Sequence, residues 1–405
     1  MEAVSANPMT TPPSTATANV LRGRDMFCFG HDWSGDPLSK THLMRHLAKD
    51  NRILWINSIG YRTPQASARD FRRAINKLKA VAEPVKEVEK NIFVLNPFAI
   101  PAYGVPGVRE LNRQLLRLQI FRAMRRLGFK RPVNWVFNPT ASVVAGSLGE
   151  ELLVYYCVDE FTAFSDAGTK TMVDLEDQLM KRADLVVVSA QRLLESKGGK
   201  NPNTVLVRHG VEYAHFRKAL APETKIPDDI AKLPRPVIGY FGLMAADWID
   251  IGLMEHIAKH FSGGSLVLLG KVTADVSRLS ALPNVHLLGR KPFADLPAYC
   301  KGFDVAILPF PISEVTLNAN PLKVREYLAA GLPVVSTKIP EVEVLGLARI
   351  AETKEAFCRQ IEEAMKDPGP KAERSDSMKG ESWEGRVEEV RRHVAALGPR
   401  RERRR

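Results

Sequence analysis

The segment 320–336, which reads NPLKVREYLAAGLPVVS, places a cation and a carboxylate at a spacing suited to nucleotide binding. Asn320 and Pro321 are typical of a helix start, and Lys323 lies in the first turn of that helix. A helix N-terminus favours phosphate because it offers free N–H groups and positive partial charge. Glu326 follows on the same face, which suits ribose hydroxyls. An ordinary capped helix with a surface Lys–Glu pair fits this spacing equally well.

The rest of this segment predicts how the helix is held and where it ends. Leu322 is expected to pack against a sheet. Gly331 is placed to end the helix, and Pro333 forbids its continuation. Val334 and Val335 then open a buried strand. The helix therefore leads directly into an element of a parallel sheet.

Gly242 follows an apolar strand, 237–241, and is a second candidate for phosphate contact. A glycine there lets the backbone approach a diphosphate closely. The loop after it, 244–248, contains no Lys or Arg, so Lys323 is expected to meet more of the diphosphate charge. Lys271 could assist, although a solvated loop lysine explains it as well.

Two aspartates in the first half of the chain follow predicted strands. Asp32 and Asp159 are expected at carboxyl strand ends, where ligands of open parallel sheets bind. Asp32 is assigned to the cleft, and a local turn cap is its alternative. His31 and His209 are not assigned as bases, because a lone histidine is more often structural.

The order of elements behind these residues is that of parallel α/β structure, in which short apolar runs alternate with amphipathic segments. Strands are predicted at 25–29, 52–56, 92–95, 133–137, 152–156, 184–188, 204–207, 237–241, 265–269, 285–288, 304–308 and 333–336. Helices are predicted at 40–49, 67–81, 108–127, 171–182, 190–196, 250–260, 274–281, 295–301, 321–330, 354–366 and 383–397.

A proline-rich stretch divides this series into two Rossmann-like domains facing a central cleft. We predict, in chain order, a disordered segment 1–20, a first domain 21–216, a linker 217–236, a second domain 237–380, a crossing helix 381–397 and a basic tail 398–405. Two such domains facing each other suit an enzyme with two substrates.

Composition places the chain among globular proteins and limits its partners. The 405 residues are 45% hydrophobic and 26% charged, and the formal net charge is +12. The four cysteines are far apart, which favours reduced, buried thiols over a zinc site or a disulfide scaffold. No secretory signal or membrane-spanning run is recognised. Asp247 and Asp250 form no convincing metal motif. We therefore predict a cytoplasmic, metal-independent protein without a cofactor.

The basic segment 109–131 interleaves arginines with apolar residues and predicts a basic amphipathic helix. It could lie on the anionic inner face of the plasma membrane, or pack on the sheet with a solvated basic face. Nucleic acid is not expected as a partner, because no reading motif accompanies the charge. Its basic residues are Arg109, Arg113, Arg117, Arg122, Arg125, Arg126, Lys130 and Arg131.

In these motifs the sequence resembles the family 4 glycosyltransferases, which have the GT-B fold. The pattern P-x-K-x-x-E-Y-x-A-x-G-x-P-V-V is matched at Pro321, Lys323, Glu326, Tyr327, Ala329, Gly331 and Pro333. Similar stretches, in family order, are 183–189, 209–216, 237–242, 289–296 and 303–309. In the first half, 32–33 and 154–159 resemble the teichuronic acid and exopolysaccharide branch.

The resemblance implies a retaining transfer from a nucleotide-sugar donor to a glycan or lipid-linked acceptor in polysaccharide biosynthesis. Glu326 is implied to hold the donor ribose, and Lys323, with Asp32 and Asn318, to serve catalysis. Asn318 stands where the family has its first glutamate, and Glu314 is a displaced candidate for that carboxylate. The remaining donor-binding residues implied are Gly242, Gly289, Arg290, Pro321 and Leu322.

Two rival functions remain at this point. A catalytically inactive GT-B scaffold of a polysaccharide complex is favoured by Asn318 and by the missing cations after Gly242. A sugar-nucleotide epimerase would share the architecture, but it needs a set of titratable acids and bases that the sequence does not offer. The sugar, the nucleotide base and the acceptor are not specified by any motif.

Overall fold

The protein is described from a computed structural model covering residues 20–60, 84–105, 107–161, 163 and 169–397. The predicted helix 67–81 and the predicted basic tail 398–405 lie outside these residues. The predicted disordered segment 1–20 also lies outside them, apart from its last residue.

The first domain is built on an eight-stranded sheet in the order β3-β4-β2-β1-β5-β6-β7-β8. All neighbouring strands are parallel except β3 and β4. Strands β5, β6 and β7 are buried along their whole length, and apart from Asn134 their residues are apolar or aromatic. The strands are β1 Asp25–Phe29, β2 Arg52–Ile56, β3 Lys86–Glu89, β4 Ile92–Leu95, β5 Val133–Val136, β6 Leu152–Cys157, β7 Leu185–Val188 and β8 Thr204–Leu206.

The second domain has a six-stranded parallel sheet in the order β11-β10-β9-β12-β13-β14. This is the Rossmann order, with the first strand next to the fourth, so the crevice at the switch point opens beside β9 and β12. The strands are β9 Val237–Phe241, β10 Ser265–Leu269, β11 Val285–Gly289, β12 Val305–Leu308, β13 Val334–Thr337 and β14 Arg349–Ala351.

Helices connect the parallel strands in both domains. In the first half they are α1 Ser39–Leu47, α2 Val108–Leu127, α3 Thr169–Arg182, α4 Gln191–Lys197, α5 Tyr213–Phe216 and α6 Asp228–Ala231. In the second half they are α7 Ile251–His260, α8 Ser277–Ser280, α9 Leu296–Gly302, α10 Glu314–Leu317, α11 Leu322–Ala329, α12 Pro340–Leu345, α13 Lys354–Ala364, α14 Ala372–Asp376 and α15 Trp383–Ala396. Short 3-10 turns span Pro139–Val143, Gly198–Lys200, Arg217–Leu220 and Phe293–Asp295.

The chain passes between the domains twice. Val207 belongs to the core of the first domain and Val211 to that of the second, so the first passage lies between them. Residues 217–236, predicted as a linker, pack onto the second domain, where Ile230 is buried in its core. The return passage ends in α15, whose Trp383 and Val387 are buried in the core of the first domain.

The four cysteines agree with the expectation from composition. All four cysteines are free and buried, as predicted for structural thiols. None of the described helices has the length and apolar content needed to cross a bilayer.

Candidate functional site

Three glycine turns meet at the carboxyl ends of β9, β10 and β11. The Gly242 N–H donates to the Leu269 carbonyl at 2.8 Å, and the Gly270 N–H donates to the Gly289 carbonyl at 2.8 Å. A Cβ at Gly270 would stand 1.9 Å from the Gly242 oxygen, so only glycine lets these backbones approach. The predicted site residues Gly242 and Gly289 therefore lie on either side of Gly270, at the ends of β9 and β11. Gly270 was missed, because it belongs to no motif.

Lys323 lies directly against the Gly242 turn. A Cβ on Gly242, whose φ is 144°, would stand 1.9 Å from the Lys323 Cε and 2.7 Å from its Nζ. The ammonium therefore occupies space that a side chain at position 242 would fill. Lys323 is also in the first turn of α11, which has no side-chain cap at Pro321. The free N–H groups at the N-terminus of α11 and the charge of Lys323 can together bind an anion.

Glu326 lies one turn after Lys323 on α11, in a half-buried position. Burial raises the pKa of Glu326 to about 7, with the Lys323 charge opposing this rise and the Glu212 charge adding to it. Burial lowers the pKa of Lys323, against the attraction of Glu326 and Asp36. A cation and a titratable carboxyl group therefore share the crevice, as the sequence predicts for pyrophosphate and ribose.

The beginning of α11 differs from the prediction in one residue. Asn320 is not the N-cap, which is Pro321. The Asn320 Nδ2 donates to the Ser189 carbonyl at 2.7 Å, and its Oδ1 accepts from Arg325 at 2.6 Å. Arg325 is buried and needs an acceptor, so the asparagine serves it rather than the helix. Leu322 packs against the core of the first domain.

Asn318 is buried and is tied to Glu314 one turn earlier. Its Nδ2 donates to the Glu314 carbonyl at 2.7 Å and lies 3.2 Å from the Glu314 Oε2. The Glu314 carboxylate is largely exposed and lies 3.4 Å from Arg192 at the start of α4 in the first domain. The two candidates for the first family carboxylate therefore form one hydrogen-bonded pair.

Arg290 reaches across to the first domain. Its Nε donates to the Asp36 Oδ1 at 2.6 Å, and both side chains are about half exposed. Asp36 lies on the loop between β1 and α1, two residues before Leu38 caps that helix. The arginine implied for donor binding is thus paired with a carboxylate across the cleft.

Asp32 lies on the same loop and is exposed. Its Oδ1 accepts from the Ser58 N–H at 3.2 Å, and its carbonyl accepts from the Gly35 N–H at 2.9 Å. Nearby, the Trp33 N–H donates to Asn57 at 2.9 Å. In this structure Asp32 orders the loop at the sheet edge, next to the cleft to which the sequence assigns it.

Glu212 connects the passage between domains to α1, and sequence reasoning assigned it no role. It accepts from His42 Nδ1 at 2.9 Å and from His46 Nε2 at 3.0 Å. Although burial disfavours its charge, these two hydrogen bonds hold the pKa of Glu212 well below its usual range. The only sequence signal for this residue was its place at the end of the 209–212 motif.

The neighbouring His209 is structural in this geometry. Its Nδ1 lies 2.8 Å from the Asn320 carbonyl oxygen, which requires a proton on that nitrogen. Burial lowers the pKa of His209 to about 3, so the ring stays neutral at physiological pH.

The other candidates for cation or metal binding are a lysine beside the glycine turns and an aspartate that caps a helix. Lys271 is exposed on its loop. Asp250 caps α7 by accepting from the Leu253 N–H at 2.8 Å. Within the described ranges, no three His, Cys, Asp or Glu side chains converge so as to hold a metal ion.

Comparison with protein families decides the nature of the second domain. The family described as glycosyl transferases group 1 matches residues 235–367, which include Gly242, Lys323 and Glu326. The second domain is a glycosyl transferase group 1 domain. The crevice described above is therefore part of this glycosyl transferase domain.

A curated relative supports the same family. TuaH of Bacillus subtilis, whose name assigns it to teichuronic acid biosynthesis as a glycosyltransferase, is 26% identical over 223 residues. The match covers 51% of this chain and 55% of TuaH, so the chain spans about half the length of this relative.

Solved structures with the same fold cover nearly the whole chain. Sucrose-phosphate synthase from Thermosynechococcus elongatus has a TM-score of 0.69 at 15% identity, covering 92% of this chain and 99% of its own. The E. coli trehalose-6-phosphate protein bound with UDP-2-fluoro glucose has a TM-score of 0.63 at 14% identity, covering 93% and 100%. Anabaena Alr3699/HepE in complex with UDP and glucose has a TM-score of 0.58 at 12% identity. The match covers 94% of this chain and 99% of the Anabaena chain. The predicted GT-B fold and glycosyltransferase resemblance are both confirmed.

Proposed function

We propose that this chain is a retaining, metal-independent glycosyltransferase of polysaccharide biosynthesis. It would move a sugar from a nucleotide-sugar donor to a glycan or lipid-linked acceptor. The observation that carries the proposal is the packing of Lys323 against the Gly242 turn, at the uncapped start of α11. Positive charge and free N–H groups meet there, where a departing diphosphate would need them.

The donor assignment rests on the neighbourhood of that lysine. Glu326, one turn on, offers a carboxylate to ribose hydroxyls, and the family match includes both residues. Structures with the same fold hold UDP with glucose, or UDP-2-fluoro glucose. Another, the catalytic domain of starch synthase IV from Arabidopsis thaliana, holds ADP. UDP and ADP are therefore the first nucleotides to test on this chain.

The test of function begins with thermal unfolding against UDP, ADP and GDP and their glucose conjugates. A ligand present at 100 times its Kd stabilises the folded state by about 2.7 kcal/mol, which is readily seen as a rise in Tm. Release of nucleoside diphosphate from the conjugate that binds best is then followed with and without EDTA. NMR of the released sugar gives the anomeric configuration, and retention is expected.

Three outcomes would favour other functions. A chain that binds none of these nucleotides would support the inactive scaffold. A sugar that changes stereochemistry while still attached to its nucleotide would support the epimerase. If EDTA abolishes the activity and a divalent metal restores it, the enzyme depends on a metal and that part of the proposal is wrong. Lys259→Ala is the matched control for Lys323→Ala, because Lys259 is an exposed lysine near the C-terminal end of α7, away from the carboxyl ends of the strands.

We also propose that the protein works in the cytoplasm, in contact with anionic lipid through α2. Asn112, Leu116, Ile120 and Ala123 are the buried residues of this helix, while Leu111 and Leu118 are exposed. Basic and apolar side chains are thus mixed on the outer face, rather than segregated as the sequence predicts. Such a face can bury leucines at a lipid surface while its arginines meet phosphates.

The free positive charge of α2 is concentrated at its C-terminal end. Arg113 is paired with Glu110 at 2.7 Å, and Arg109 lies 3.9 Å from Asp174. Among the described residues, Arg122, Arg125 and Arg126 have no carboxylate within ion-pair distance. An apolar hollow opens at the same end. It is lined by Phe121, Met124, Arg125, Gly128, Phe129 and Lys130.

Vesicle flotation tests this contact. The protein should float with phosphatidylcholine vesicles that contain phosphatidylglycerol and stay behind with phosphatidylcholine alone. Leu118→Glu should lose flotation, whereas Val344→Glu, at an equally exposed apolar position outside α2, should keep it. Equal flotation of the two variants would contradict the assignment of α2.

A further inference from the structure

Arg325 belongs to the same helix as the donor residues but lies on another side of it. It is two residues beyond Lys323 on α11, which places it about 200° round the helix axis from that lysine. Its side chain is 1% exposed. A buried guanidinium is costly unless it is paired and hydrogen-bonded, so this arginine depends on partners within the protein.

The first partner of Arg325 leads to the first domain. The Arg325 Nη1 donates to the Asn320 Oδ1 at 2.6 Å. Asn320 in turn donates from its Nδ2 to the Ser189 carbonyl, which follows β7, at 2.7 Å. Its own carbonyl accepts from the His209 Nδ1 at 2.8 Å, and His209 lies on the first passage between the domains, 207–212. Through one asparagine, the arginine is therefore connected to the first domain and to this passage.

The second partner of Arg325 lies on the return passage, 377–386. The Arg325 Nε lies 3.5 Å from the Glu381 Oε2. The same carboxylate pairs with Arg386 near the start of α15. The Arg386 Nε donates to the His209 carbonyl at 3.4 Å, so the network closes back onto the first passage. Arg325 thus contacts groups that belong to both crossings of the chain.

The two passages are also packed directly against each other. The Val211 N–H donates to the Glu381 carbonyl at 2.8 Å. A Cβ on Gly210 would stand 2.7 Å from the Trp383 backbone nitrogen, so a larger residue would force the two chains apart. Together the two passages form the hinge between the domains.

We propose that Arg325 is a positioning residue that couples the donor helix to this hinge. One side of α11 presents Lys323 and Glu326 to the donor, while Arg325 holds another side in the hinge. A shift of the helix on nucleotide binding is therefore passed to the hinge, and because coupling is reciprocal, the hinge acts on nucleotide affinity. This inference rests on the proposed function, since it concerns the helix that would hold the donor.

Hydrogen exchange of the full chain with and without saturating UDP tests the coupling without an acceptor. The reporters are peptides spanning 207–212 and 377–386, which include the Val211 N–H. In the wild type, UDP should slow exchange of these amides by at least about fivefold, the lower end of the range for coupled sites. In Arg325→Gln the slowing should fall below about twofold, although the donor residues are unchanged.

A second variant and a control make the comparison specific. Glu381→Gln removes the carboxylate that Arg325 shares with Arg386, and its side chain is 29% exposed, so the fold should tolerate the change. It should reduce the response to UDP in the same way. Arg278→Gln is the matched control, since its ion pair with Glu255 at 2.9 Å joins α8 to α7 within the second domain. The control should respond to UDP as the wild type does.

Each result decides for or against the coupling. Loss of the response in both variants, with UDP still bound in calorimetry, supports it, and Glu381→Gln alone decides if Arg325→Gln does not fold. Exchange that UDP slows as strongly in the variants as in the wild type overturns it, because direct contact of UDP with the hinge or a merely structural arginine would give that result. An unresponsive hinge in a wild-type chain that binds UDP also overturns it.

Failure of the wild-type chain to bind UDP would refute the proposed donor site for this nucleotide, and the coupling with it. Calorimetry gives that result before any exchange is measured, so it is distinguishable from a failure of the coupling alone.

Discussion

Gly242→Ala is expected to disable the donor site by displacing Lys323. The new Cβ would stand 1.9 Å from the Lys323 Cε, whereas carbon atoms pack at about 3.5 Å. The lysine must therefore retreat by about 1.6 Å, the difference between these distances. A misplacement of this size costs on the order of 10²-fold in rate. The φ of 144° adds backbone strain of about 1–3 kcal/mol.

The assay compares four proteins: wild type, Gly242→Ala, Lys323→Ala and the double variant. We expect Lys323→Ala to lower kcat by about 10²-fold, because charge on the leaving oxygen grows in the transition state. If position 242 acts by making room for the lysine, the double variant should be no slower than Lys323→Ala. Gly263→Ala is the control, since a Cβ there meets nothing within 4 Å.

Two results would refute this reasoning. Multiplying losses in the double variant would show that Gly242 contributes separately from Lys323, for example through backbone contact with the ligand. A Lys323→Ala protein that transfers sugar at the wild-type rate would remove the lysine from the mechanism. Thermal unfolding of each variant separates a loss of activity from a loss of fold.

The other predictions concern Glu326, metal dependence and the crossing helix. Glu326→Ala should weaken binding of the preferred nucleoside diphosphate by about 1.5–3 kcal/mol, measured by calorimetry; unchanged affinity would contradict the ribose contact. Burial raises the pKa of Glu326 to about 7, so the ionised form that accepts ribose hydroxyls is populated above that pH. Wild-type affinity for the nucleotide should therefore rise from pH 6 to 8 by up to about tenfold. Glu326→Gln should abolish this rise. Added EDTA should leave the rate of nucleotide release unchanged. Trp383→Ala should destabilise the chain by about 3–5 kcal/mol in denaturant unfolding, because the indole is buried in the first domain's core; a loss below 1 kcal/mol would contradict that packing.

The sequence predicted the interior strands well because burial on both faces leaves a continuous apolar run. Strands β1, β2, β4, β9 and β10 begin and end at the predicted residues. The two strands that were missed lie at sheet edges. Strand β3 reads KEVE and is mostly exposed, and β14 has three residues beginning with Arg349, so neither carries the apolar pattern that marks a strand.

The site was predictable where a local motif determines it and not where tertiary contacts do. Lys323 and Gly242 each stand in a recognisable turn or helix start, and the structure brings them together. Asn320 was misassigned as a cap, because only the fold shows that buried Arg325 takes its oxygen.

The return of α15 to the first domain has a consequence for the order in which the protein is completed. During synthesis the first domain emerges before the second, yet its core lacks Trp383 until the whole second domain has been made. The face of the first sheet that receives this indole stays open to chaperones, or to wrong partners, throughout that interval. A fragment ending near Val207 would keep that face open permanently, so the smallest unit able to close it needs a transplanted copy of residues 383–396.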